Sequence, residues 1–91
     1  MTSNAVWLRV APERMLGVLK QDAFERLETA QDLVLDFSSV SRVDAGSLKA
    51  LEELADRARD RSAQIALLGV NLDIYKVLKL VKLTPRFSFL P

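Results

Sequence analysis

Few side chains in this sequence could do chemistry, and two of them lie in neighbouring segments. Asp36 sits near the end of an apolar run, LVLDF (Leu33 to Phe37), and Asp44 lies in RVDAGSLKAL, where Ala45, Gly46 and Ser47 follow the carboxylate. Ser38, Ser39, Ser41 and Ser47 fall in the same stretch. Two carboxylates can do acid–base work if their surroundings raise a pKa, or hold a hard cation if further oxygen donors join them. The spacing supplies no third donor. The chain has no His and no Cys, so a Ser–His–Asp triad, a zinc site, a disulfide framework and thiol chemistry are excluded. Acid–base catalysis would rest on carboxylates, Lys or the single Tyr75. The three glycines, Gly17, Gly46 and Gly69, form neither a GxGxxG nor a GxxxxGK arrangement, so nucleotide binding has no support. No metal or cofactor is expected.

These residues need elements to position them. AVWLRVA (Ala5 to Ala11) reads as a first strand, broken by Pro12. From Glu13 to Thr29, Leu16, Leu19, Ala23 and Leu27 recur at three or four residues with Phe24 alongside, which predicts a helix. Gly17 weakens its first turn, so the helix is expected to start late, near Val18. Leu33 to Phe37 is nearly continuously apolar, as a strand buried on both faces should be. A loop follows over Ser38 to Val43, with room for a short extended piece at Arg42 and Val43.

A second helix is predicted over Ser47 to Arg61, with a core stripe of Leu48, Leu51, Leu54, Ala55 and Ala58. Its charged face offers a Glu53–Arg57 pair at i,i+4. Ile65 to Leu68 forms a third strand ended by Gly69. Asn71 or Asp73 can cap a third helix running to about Lys82, and FSFL (Phe87 to Leu90) a fourth strand. The order β-α-β-α-β-α-β predicts an α/β fold: one small domain over residues 1–91, with about four strands in a mixed, mostly parallel sheet and three helices.

Composition narrows the function classes. With 91 residues the core is small. Net charge is +1, which gives no general electrostatic case for nucleic acid or an anionic membrane. No apolar run reaches the length of a membrane span, and no signal peptide pattern stands at the start. A cytoplasmic protein is the expectation.

Carboxyl ends of parallel strands are where open α/β folds place their sites, and residues 36 to 47 lie at that edge. Asp44 is expected to cap the second helix by accepting from the N–H of Gly46 or Ser47. Ala45 and Gly46 then leave an uncrowded helix start, which can receive another protein's backbone or an anion. The third helix carries Leu72, Ile74, Tyr75, Val77, Leu78, Leu80, Val81 and Leu83, with Asp73, Lys76, Lys79 and Lys82 between them. This apolar arc is wider than one sheet face needs. It marks either a partner site or a helix wedged between the sheet and its neighbour.

The segment LVLDFSSVSRVDAGSLKALEELADRARDRSAQIALLGVN resembles the STAS domain, the family of anti-sigma factor antagonists and related modules. The family's pattern is a buried strand ending in Asp, a short polar loop, an Asp–Ser/Thr–small–Gly turn opening a helix, and a next strand ending in Gly; here the turn reads Asp44-Ala45-Gly46-Ser47. Within that family the chain is most similar to the small STAS subunit of Mla-type ABC transporters, which move phospholipid between membranes. FSSVSRVDAGSL and GVNLDIYKVLKLVKL carry that likeness. The resemblance implies no catalytic activity, helices mainly on one side of the sheet, and a partner-docking surface around the turn and the helix after it. On this chain that surface comprises Ser41, Arg42, Asp44, Ala45, Gly46, Ser47 and Leu48, with Tyr75.

In antagonists of this family the residue after the Asp is a phosphorylated Ser, a switch that adds bulk and about −2 charge at a helix start. Here it is Ala45. The expected partner is therefore the ATPase of an ABC-type phospholipid transporter, bound without a phosphate switch, or else an anti-sigma factor or switch kinase. No nucleic acid and no direct membrane insertion are expected, and a homodimer is possible. A small enzyme using Asp36 and Asp44 is the alternative of another class. It would need strongly raised carboxyl pKa values.

Overall fold

The computed structural model describes residues 5–29 and 32–91. Four strands form one sheet in the order β1-β2-β3-β4: β1 Ala5–Arg9, β2 Asp32–Asp36, β3 Gln64–Leu68 and β4 Ser88–Leu90. Three helical segments lie between them. The first, α1, is built from three consecutive pieces, Met15–Gly17, Val18–Asp22 and Ala23–Thr29, after a tight turn over Pro12–Arg14. The others are α2 (Ala45–Asp60) and α3 (Leu72–Leu80).

All three strand pairings are parallel, so the sheet is not mixed. The reason is the connectivity: each strand is followed by a helix that carries the chain back before the next strand begins. Strands added in sequence order through right-handed crossovers place every helix on the same face. Burial agrees. On the helix face Leu33, Leu35, Ile65 and Leu67 are buried, whereas on the other face Trp7, of opposite pleat to Val6 and Leu8, is 63% exposed and Val34 of the inner strand β2 is buried. Register rows run Leu8–Leu35–Leu67–Phe89 on the helix face and Trp7–Val34–Ala66–Ser88 on the open one. No strand forms at Arg42 and Val43.

The core joins those strand residues to Leu19, Ala23 and Leu27 of α1, Leu51, Leu54 and Ala58 of α2, Ile74 and Leu78 of α3, and Phe37. Three expectations for the helices change. The α1 segment is already helical at Met15, and Gly17 lies within it. Leu16 is exposed while Val18 is buried. The cause is a wide π-type turn over Val18–Asp22, in which the Ala23 N–H donates to the Val18 carbonyl five residues back. This puts Val18 and Ala23 on one face and turns Leu16 out of the stripe. In α2, Leu48 is only half-buried, and Ala50 takes its expected place in the core.

The charged face of α2 is tied to other elements. Arg57 pairs with Glu28 of α1 at 3.3 Å instead of with Glu53, and Arg61 reaches the same carboxylate at 3.6 Å. Asp56 accepts from Arg86, beside β4, at 2.6 Å. Both α2 and α3 end in a left-handed residue, Ser62 (φ 56°) and Lys82 (φ 62°). The closing bonds are Ala63 N–H to the Ala58 carbonyl and Leu83 N–H to the Leu78 carbonyl, both 2.8 Å.

Candidate docking surface

Chain ends of β1, β2 and β3 meet at one edge, and the ladder extends there into the loops. Val10 N–H donates to the Asp36 carbonyl (2.9 Å), and Phe37 N–H to the Leu68 carbonyl (2.7 Å). Asp36 then folds the chain over: its Oδ1 accepts from the Ser38 N–H at 2.9 Å. Gly69 makes room for this turn. Its φ is +71°, and a Cβ there would lie 2.4 Å from Ser38 Oγ and 3.2 Å from Ser38 Cα.

The loop delivers Asp44 in extended conformation (φ −105°, ψ 179°) as the cap of α2. Asp44 Oδ1 accepts from the Ser47 N–H at 2.8 Å, and its own carbonyl accepts from the Leu48 N–H at 3.0 Å. The bond from the Ser47 N–H, followed by one from the Ser47 hydroxyl, holds the Asp44 carboxyl below its ordinary pKa. Asp36 is held low as well, by the Ser38 hydroxyl first, then the Ser38 N–H, with a smaller contribution from Arg9. Neither carboxyl has the raised pKa that acid–base catalysis at neutral pH requires. Among the described residues, no three acidic side chains converge on a common point where a metal could sit.

The cap fixes what the surface presents. Ala45 and Gly46 are exposed, whereas Ser47 is only 1% exposed and faces the core. A hollow lies on either side of this helix start. One is an apolar groove of about 310 Å³ between α2 and the end of α3, lined by Ala45, Leu48, Lys49, Glu52, Val81 and Leu83. The other, of about 300 Å³, runs beneath Pro12–Gly17 to Asp44 and Ser47. The structure thus brings Asp44, Ala45, Gly46 and Leu48 to one rim.

Of the other expected surface residues, Ser41 and Arg42 are on the loop above it, Ser41 exposed. Tyr75 lines neither hollow; its ring stands edge-on to Phe89 at 5.1 Å, toward β4. Sequence reasoning missed Lys49, Glu52, Val81 and Leu83 as groove walls. It also missed Leu16, whose Cδ1 lies 3.6 Å from where a Gly46 Cβ would be. Val81 had a signal, since it closes the over-wide apolar arc of the third helix. Leu16 had none, because its exposure follows from the π-type turn.

The α3 helix meets this edge through Asn71, whose side chain caps it by accepting from the Ile74 N–H at 2.8 Å. Leu72, Leu80 and Val81 are exposed, Leu80 at 81%. The arc is therefore partly wedged against the core, through Ile74, Leu78 and Leu83, and partly bare. Among the described residues no helix is long and apolar enough to cross a membrane.

The family model of the STAS domain matches residues 13–90. The intermembrane phospholipid transport system binding protein MlaB of Escherichia coli K12 is 34% identical over 90 residues, covering 91% of this chain and 93% of that protein. MlaB of Shigella flexneri matches to the same extent. Among solved structures, a Thermotoga maritima protein assigned as an anti-sigma factor antagonist superposes with a TM-score of 0.81 at 18% identity, over 100% of this chain and 82% of its own. The Bacillus cell fate determinant SpoIIAA, in its phosphorylated form, gives 0.66 at 15% identity, over 99% and 86%. These two likenesses are of fold.

Proposed function

Because the chain belongs to the STAS domain family, we propose that it is a non-catalytic interaction subunit that docks on the ATPase of an ABC-type phospholipid transporter. The observation that carries this reading is the start of α2. A capped, sterically bare helix end stands beside an apolar groove on the edge where the strands finish. Such a surface can accept a partner's backbone and one or two anchoring side chains. The relationship to MlaB supports the transporter as the setting, since that protein's name places it in a phospholipid transport system. The chain would act from the cytoplasm and reach the membrane only through its partner.

The surface works without a phosphate switch. Ala45 has no hydroxyl, and the hydroxyl of Ser47 is buried against Asp44. Binding to an anti-sigma factor or switch kinase is the second reading, favoured by the fold likeness to the Thermotoga maritima protein assigned as an anti-sigma factor antagonist and restricted by the same two residues to a form not controlled by phosphorylation.

The test is purification of the tagged chain from its own cells with mass spectrometry of what accompanies it. Recovery of an ABC ATPase with its permease, lost in Ala45→Glu, is the expected result. Recovery of an anti-sigma kinase in their place moves the protein to gene regulation.

A further inference from the structure

The proposed surface is assembled from two segments far apart in sequence, and one side chain spans them. Asn71 Oδ1 accepts from the Ile74 N–H of α3. Its Nδ2 donates in the other direction, to the Ser41 carbonyl at 3.0 Å and to the Val40 carbonyl at 3.4 Å. Among the described residues no other hydrogen bond reaches the backbone of Ser41, Arg42 or Val43. The loop is anchored before that point by the Val40 N–H to Phe37 carbonyl bond, and after it by the Asp44 cap. Between those anchors the Asn71 amide is its one hydrogen-bonded tether among the described residues.

We propose that Asn71 is a positioning residue that fixes the loop bearing Ser41 and Arg42 against α3, so that the partner meets one preformed surface. This rests on the docking reading above. The chemistry of the amide separates this role from capping. A cap needs only an acceptor, and Asp supplies one at least as good, with a charge that suits a helix N-terminus. Holding the Ser41 carbonyl needs a donor, which an ionised Asp lacks. Asn71→Asp therefore keeps the cap and removes the tether. Asn71→Ser does the same without a charge, because its short hydroxyl serves the cap.

The experiment measures backbone order parameters by NMR for both variants, together with their affinity for the ABC ATPase co-purified with the wild-type chain. The expected result is that the melting temperature and the order of α3 are retained. Order parameters at Ser41–Val43 fall from rigid values of about 0.85 to below about 0.6, and affinity drops by about tenfold. Unchanged loop order in both variants overturns the proposal. So does a loosened loop with unchanged affinity, because positioning would then be irrelevant to docking. If the wild-type chain captures no ATPase, the docking reading fails, and with it the role proposed for Asn71 in recognition. Loop order in the variants then reports only whether the tether exists.

Discussion

The Ser47 N–H donates to Asp44 Oδ1 at 2.8 Å, three residues back. This bond starts α2 with Ser47 turned away from solvent, at 1% exposure. It leaves Ala45 exposed beside it. Asp44→Ala removes the acceptor. The expected outcome is a melting temperature lower by about 4 °C or more, with Asp44→Asn intermediate because it keeps an acceptor. Calorimetry of the three proteins checks this.

Ala45→Glu should separate stability from binding. Ala45 is exposed in the first turn of α2, where a carboxylate suits the helix dipole. The melting temperature should stay within about 2 °C of wild type, while capture of the ATPase proposed as the partner falls by about tenfold or more. A variant that melts early would mean that Ala45 is a packing residue.

Acid should weaken the fold in a defined window. Asp36, Asp44 and Asp56 are all held below the ordinary carboxyl value, Asp56 chiefly by its bond from Arg86. A folded-state pKa below the unfolded one gives stabilisation that is complete above the unfolded value of about 3.9 and lost as pH falls through the folded value. Urea midpoints should therefore be nearly flat from about pH 8 to pH 5 and fall below that. Asp56→Asn should reduce the slope in the acid range, and a slope equal to wild type would show that this carboxylate is not coupled to folding.

Gly69→Ala should be among the more damaging single-methyl additions. It places a Cβ against Ser38 at a left-handed backbone position, and the expected cost is about 1–3 kcal/mol by urea denaturation. Adding Ser38→Ala removes the hydroxyl oxygen but leaves the residue 38 backbone crowded and the residue 69 backbone strained, so recovery should be partial.

Lys82→Gly should have the opposite sign. Lys82 holds φ 62° at the end of α3 with its side chain exposed. Glycine adopts that conformation without penalty, so stability should rise by about 0.5–1 kcal/mol in the same assay.

Much of this is legible in the residues. LVLDF reads only as an inner strand, and Asp44 and Asn71 announce two helix starts by their chemistry. Parallel pairing follows from alternating strands and helices. What cannot be read is of another kind. The phase of α1 depends on a π-type turn that no residue type marks, so apolar spacing alone puts Leu16 in the core. The same spacing puts Leu48 inside, but Ala50 is the buried residue and Leu48 falls on the groove. Arg57 pairs with Glu28 and not Glu53, since a tertiary partner across the helix pair displaces the local one. Groove walls built from two helices are tertiary facts, invisible to a pattern within either helix.

The π-type turn in α1 has a consequence for how this surface can change over generations. A helix that contains one surplus residue tolerates its loss: deleting Lys20 or Gln21, both exposed, lets an ordinary α-turn close with Val18 and Ala23 four residues apart and still on one face. Leu16 would stay beside Gly46 while Ala23 and Leu27 kept their places in the core. A one-codon deletion in this turn would thus leave the Asp44 hollow as it is in a descendant of this chain, whereas the same deletion in an ordinary stretch of the helix would turn the upstream side chains by about 100° and remove Leu16 from its border.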